Sequence, residues 1–224
     1  MNTQKRSFEK NKNLESILHK INTLLNPIEK EQIELKGDDF SLPTILQIGS
    51  PRSGTTFFTQ WMASQGIFSY PTNFLSRFFG APYIGSLIYE MLTNPKFDYR
   101  NEFYDISRSF KFESEIGKTK GFNAPHEFWY FWRQHFEFPD VPLDNYRFKN
   151  SADFASFNRE LSLVKQAFGK PFLLKAHIVN WYLKSMAQNL NNAVYIHIVR
   201  NHVDHIRSLM KSRKAWTGNI DLWF

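Results

Sequence analysis

From Leu14 onward, apolar residues recur every three or four positions, at Leu14, Ile17, Leu18, Ile21, Leu24 and Leu25. That period lines up side chains along one stripe of a helix. It predicts an N-terminal helix that ends before Pro27, because proline lacks an N–H and crowds the turn before it. Residues 1–12 are charged and are expected to fray. The next signal has a different period. Thr44-Ile-Leu-Gln-Ile-Gly49 is short, apolar and β-branched, and it runs through Gly49-Ser-Pro-Arg-Ser-Gly54 into the amphipathic stretch Thr55–Ser64, which predicts strand, tight loop and helix. Pro171–Lys175 and Ala193–Val199 read as two further buried strands, the second leading into a helix from about His202 to Arg213. Strands alternating with helices predict an α/β fold with a central, mainly parallel sheet flanked by helices. Residues 67–150 are dense in Phe, Tyr, Trp and Pro and have no clean period or internal repeat, so they can build either a binding pocket or helical core. The division expected is an N-terminal helix and lead-in over 1–41 and one α/β domain over 42–224.

Composition narrows this picture. A chain of 224 residues with 42% apolar and 17% aromatic residues can bury a sizeable core, which excludes a disordered, solvating protein. The formal charge of +7 suits an anionic partner, and nucleic acid, a phosphorylated cofactor and an acidic membrane all qualify. A nucleic-acid partner would rest on net charge and aromatic content alone, and none is expected. No stretch reaches the roughly 18 apolar residues of a membrane span, and Met1–Leu14 is polar where a signal peptide needs an apolar run, so a cytoplasmic location is expected. The absence of cysteine excludes disulfides, thiolate metal sites and a cysteine nucleophile. His197, His202 and His205 have no recognised ligand spacing and no HExxH motif is present, so no metal is expected. Lys5-Arg6, Lys10 with Lys12, and Lys211 with Arg213 and Lys214 read as solvated faces.

Candidate chemistry begins at the loop. Gly49-x4-Gly54-Thr55-Thr56 has the spacing of a Walker A phosphate loop, placed after a strand and before a helix. Glycines let backbone N–H groups turn inward around phosphate oxygens, and the helix N-terminus adds partial positive charge. Thr55 stands where the Walker lysine would be, and no strand end offers an evident aspartate for magnesium, which argues against a nucleoside triphosphatase. The basic residue is Arg52, inside the loop.

The segment Gly-Ser-Pro-Arg-Ser-Gly-Thr-Thr-Phe, residues 49–57, resembles the 5′-phosphosulfate-binding loop of sulfotransferases that use 3′-phosphoadenosine 5′-phosphosulfate. The resemblance implies that Arg52, Ser53, Gly54, Thr55 and Thr56 grip the 5′-phosphosulfate, with Phe57 where relatives often carry a tryptophan near the adenine. A second element lies beyond the last strand. Asn201 and Asp204 make a capping-box-like helix start, and Asn201, Asp204 and Ser208 share a face opposite Ile206, Leu209 and Met210. By itself this is a capped surface helix, but Val-Arg-x7-Ser after a strand is similar to the family's 3′-phosphate element and implies that Arg200 and Ser208 bind that phosphate. His202 stands in place of that element's usual proline.

Sulfuryl transfer needs a base for the acceptor and a cation for the sulfuryl oxygens. Lys175-Ala176-His177 follows a strand, where α/β folds place their sites, and resembles the family's Lys-Thr-His motif. That resemblance implies Lys175 as sulfuryl contact and His177 as base, with Ala176 departing from the pattern. Glu127, in Asn123-Ala-Pro-His-Glu-Phe-Trp-Tyr, is the rival base, unless His126 and Glu127 only cap the helix that follows. The resemblance covers roughly Leu42 to Arg213 and implies a P-loop-like sulfotransferase fold that lacks the family's further C-terminal segment, so the chain is expected to be a fragment or a short variant. The function expected is a metal-independent transferase acting on a small-molecule or glycan alcohol or an amine. A small-molecule kinase and a cofactor-binding protein without turnover are the alternatives.

Overall fold

The computed structural model describes residues 11–221 except 104–105, 107–109, 116 and 140–141. Of the basic clusters, Lys5-Arg6 and Lys10 lie outside the described residues.

Helix α1 spans Lys12–Lys36, started by Asn11, whose side chain accepts from the N–H of Leu14. It does not end before Pro27. Tertiary contacts on either side of the proline outweigh the one missing hydrogen bond. Before it, Asn22 donates to the carbonyl of Arg77 and accepts from the N–H of Gly80, and Asn26 donates to the carbonyl of Gly80. After it, the buried carboxylate of Glu29 accepts from the N–H groups of Tyr83 (2.6 Å) and Ile84 (3.1 Å), at the start of helix α3 (Pro82–Thr93). The predicted apolar stripe also divides. Leu18 is buried, whereas Leu14, Ile17, Ile21 and Leu24 are exposed.

Strand β1 (Thr44–Ile48) leads through the glycine loop into helix α2 (Thr55–Ser64). A short hairpin follows, β2 (Ser114–Glu115) and β3 (Lys118–Thr119), and then helices α4 (Trp129–His135), α5 (Asn145–Ser151) and α6 (Phe154–Phe168). Strand β4 (Phe172–Lys175), helix α7 (Leu183–Asn189), strand β5 (Ala193–His197) and helix α8 (His202–Thr217) complete the order. The strands form a three-stranded parallel sheet ordered β4-β1-β5, with Thr44 level with both Phe172 and Ala193. The predicted central parallel sheet flanked by helices is therefore present. Strand β1 lies between the other two and all its residues are buried, which is why its sequence, Thr-Ile-Leu-Gln-Ile, shows no apolar–polar alternation.

The aromatic middle of the chain supplies much of the core. Phe128, Phe131, Trp132, Phe148 and Phe157 are almost wholly buried, and Phe148 stacks on Tyr182 with ring centroids 3.7 Å apart. Each such side chain contributes roughly 1.5–3 kcal/mol relative to exposure. Helix α8 departs from expectation: Ile206 and Met210 are exposed, as is Val203.

Candidate functional site

Three segments that leave the carboxyl ends of the parallel strands meet at one place. The first is the loop after β1. Gly49 has φ 147° and an added Cβ would lie 2.8 Å from the carbonyl oxygen of Ile198, so a side chain does not fit there. Asn180 fixes the glycine through a reciprocal pair, donating to its carbonyl (2.8 Å) and accepting from its N–H (3.3 Å). Arg52 sits at φ 68°, a left-handed conformation unusual for a residue other than glycine, and Gly54 follows at φ 102°. No side chain caps α2, so the N–H groups of its first turn, which have no acceptor within the helix, are open to a ligand. The hydroxyl of Ser53 is buried without a hydrogen-bond partner.

Buried polar contacts hold this loop to the sheet. Gln47 on β1 donates to the carbonyl of Thr55 (2.7 Å) and accepts from the hydroxyl of Thr59, tying the first turn of α2 to the central strand. Phe57, by contrast, is exposed and lies beside Phe112.

The second segment is the turn from β5 into α8. The Arg200 guanidinium donates to the carbonyl of Arg52 (3.3 Å), and Arg52 Nε lies 3.4 Å from the hydroxyl of Ser208. His205 Nε2 is 2.7 Å from the carbonyl of Pro51. Asn201 accepts from the N–H groups of Val203 and Asp204, so the expected cap is formed. Residues about 150 positions apart in sequence thus form one cationic cluster.

The third segment carries the acid–base groups. Lys175, at the end of β4, is 7% exposed, with its ammonium 3.0 Å from the Thr56 hydroxyl and 2.5 Å from Glu127 Oε1. Glu127 also accepts from the indole N–H of Trp129. It does not cap α4, which begins without a side-chain cap; the nearby turn is held by His126 Nδ1, accepting from the N–H of Phe128 at 2.9 Å. His177 Nε2 lies 3.9 Å from Glu127 Oε2, beyond hydrogen-bond reach, and its ring meets Trp129 edge-on. Its Nδ1 is buried without a partner.

Burial, reinforced by the Lys175 charge and only partly opposed by Glu127, pushes His177 down to about 4, so its imidazole is neutral at pH 7. Burial similarly pushes His126 to about 4. For Glu127 burial raises the carboxyl, but the charges of Lys175 and His177 and the two hydrogen bonds outweigh it, and its pKa is lowered.

Arg52, Thr56, Gly117, Glu127, Trp129, Lys175 and His177 line a cavity of about 380 Å³, whose lining does not include Arg200 or Ser208. A separate cavity of about 300 Å³, near Ser69, Tyr89 and Lys170, contains none of the candidate residues. Sequence reasoning placed the candidate residues on four separate segments, and the fold brings Lys175, with Glu127, to Thr56 and brings Arg200 and Ser208 to Arg52. It missed Asn180, Trp129 as a hydrogen-bond donor, and the hairpin residues Gly117 and Lys118. Asn180 carries no local signal, since its partner lies 131 positions away.

Compared with family models, with curated proteins and with solved structures, the chain finds no match in any of the three. Among the described residues no helix is long and apolar enough to cross a membrane.

Proposed function

We propose that this chain binds 3′-phosphoadenosine 5′-phosphosulfate and transfers its sulfuryl group to a hydroxyl or amine acceptor. The observation that carries this reading is the meeting of Arg52, in a Walker-spaced loop without the Walker lysine, with Arg200 and Ser208 from a distant segment. Two guanidinium groups from different segments, with the Ser208 hydroxyl beside that of Arg52, suit a ligand with more than one anionic group. The unpartnered Ser53 hydroxyl and the uncapped start of α2 fit an anion at the loop.

In this reading the donor supplies the activated sulfuryl group. Arg52, Ser53, Gly54, Thr55 and Thr56 hold its 5′ end, Arg200 and Ser208 hold the 3′-phosphate, and Phe57 lies beside the base. Lys175, held next to Thr56, meets the charge that develops on the transferring oxygens. His177 is neutral and its Nε2, 3.9 Å from Glu127 and so not hydrogen-bonded to it, is the nitrogen that takes the acceptor proton in this reading. Glu127 suits that role less well, because Lys175 and Trp129 already engage its oxygens. The Trp129-lined cavity has room for a small alcohol or one end of a glycan.

Calorimetry tests the reading. Adenosine 3′,5′-bisphosphate binds and ATP with Mg²⁺ does not; the reverse result overturns the proposal in favour of a kinase. Radiolabelled donor offered with phenols, sterols and simple glycosides then reads the transfer itself.

A further inference from the structure

Along α1 the exposed apolar residues are Leu14, Ile17, Ile21, Leu24, Ile28 and Leu35, from 37% to 69% accessible. Their spacing alternates three and four, and Glu31 occupies the one remaining position before Leu35. This is an unbroken heptad seam with Leu14, Ile21, Ile28 and Leu35 at one core position and Ile17, Leu24 and Glu31 at the other. It is separate from the face that packs on the body, where Leu18, Asn22 and Glu29 are buried. The helix has 25 residues and runs about 37 Å, enough for several seam layers.

We propose that this seam pairs with the α1 helix of a second copy of the chain as an antiparallel two-stranded coiled coil. Charge selects the orientation and the register. Lys20 and Glu34 are exposed and occupy the same flanking heptad position, next to Ile21 and Leu35 respectively. When the helices run antiparallel with Leu24 against Ile28 of the second copy, Ile17 falls against Leu35 and Ile21 against Glu31. Lys20 then faces Glu34 of the second copy, and the two-fold axis repeats the pair. In a parallel in-register pair a flanking charge meets the next heptad, where Lys20 finds Leu25 of the second copy and gains nothing. Glu31 at a core position lies within reach of Lys20 of the second copy, a polar contact of the kind that fixes register. The chemistry fits a second copy better than a lipid surface: the seam is narrow, contains Glu31, is flanked by Glu34 and carries no aromatic residue, whereas membrane-lying helices present broad apolar faces with basic borders. The inference is independent of the sulfuryl-transfer reading.

Sedimentation equilibrium of the full chain over a wide concentration range tests it. A reversible dimer is expected, and Leu24→Lys with Ile28→Lys gives a monomer with an unchanged circular dichroism spectrum, since both positions are exposed. Lys20→Glu alone and Glu34→Lys alone each weaken the dimer at least about fivefold, from two lost pairs, and the double swap restores it. Because the chain has no cysteine, Ile17→Cys and Leu35→Cys proteins can be mixed and treated with a short thiol crosslinker. The mixed product should dominate over either homodimer. A monomer at all concentrations, a dimer that survives the double lysine variant, or dominant homodimeric crosslinks overturns the proposal. So does binding to phosphatidylserine vesicles, abolished by the double lysine variant, without any dimer.

Discussion

Lys175 ends a buried strand between a carboxylate and a threonine hydroxyl, and the candidate site is organised around that ammonium group. Its neighbours divide the work of binding from the work of proton transfer, and substitutions should separate the two. Arg52→Ala and Arg200→Ala are each expected to weaken adenosine 3′,5′-bisphosphate by about 1.5–3 kcal/mol, the worth of a charge-assisted contact. Calorimetry checks this, and a folded Arg200→Ala protein that binds as tightly as the parent contradicts a separate 3′-phosphate subsite. His177→Ala should keep that affinity and lose about 10²-fold or more in transfer. Glu127→Gln is the control: if Glu127 were the base, that change would abolish turnover and the histidine change would leave most of it. At this scale the loop was legible, because residues 49–56 are contiguous and their spacing has a physical meaning. The contact between Glu127 and Lys175 was not, since 48 positions separate the partners and the segment before α4 is placed by backbone hydrogen bonds to Pro71 and Asn73 that no local pattern records.

Among the elements, α1 departs furthest from its local signals. Pro27 argues for a helix end, yet the helix runs to Lys36 because Glu29, two residues on, caps α3. Glu29→Ala should therefore cost about 1–2 kcal/mol, read by urea unfolding at pH 5, from the loss of that cap. Burial is the largest influence on Glu29 and raises it to about 7, although the two backbone N–H groups oppose the rise. A folded-state pKa above the unfolded value means that the contribution of the protonated Glu29 carboxyl is complete below about 4.5 and is lost as pH rises through 7, as burial penalises the charged form. Relative to the parent, Glu29→Gln should thus gain on the order of 3 kcal/mol between pH 4.5 and 8, visible as unfolding curves that converge or cross. Parent and variant curves that stay parallel across that range would contradict a raised Glu29. Helix α8 shows the converse. Its start was readable from Asn201, but its periodicity did not tell which side would be covered, and Ile206 and Met210 lie exposed.

For the whole molecule, the same linkage predicts a net pH profile. His126 and His177 are pushed down to about 4 by burial, so each contributes stability that is present above about 6.5 and is lost as pH falls towards 4. Glu127 and Asp39, both lowered, act only below the ordinary carboxylate range. Between pH 4.5 and 6.5 two histidine contributions therefore rise while that of Glu29 falls. These three groups together should make unfolding free energy climb with pH over that range, on the order of one net proton's worth, about 1.4 kcal/mol per pH unit. Removing Glu29 as Gln should roughly double the slope, and His177→Gln should flatten it; denaturant titrations at three pH values decide. By itself the sequence determined the three strands, the loop and the helix after it, because each depends on interactions within a few residues: β-branched runs, glycine conformations and a helix period; the burial expected for the last strand was not met, since none of Ala193–His197 is buried. It also marked Arg52, Lys175, His177, Arg200 and Ser208 as candidates. The tertiary structure alone decided that α1 passes Pro27, that the aromatic middle becomes core, that Asn180 clamps Gly49 and that Glu127 meets Lys175. Those outcomes depend on energies between groups tens to more than a hundred residues apart, and no local pattern records which distant surface will be there to accept a hydrogen bond or exclude water.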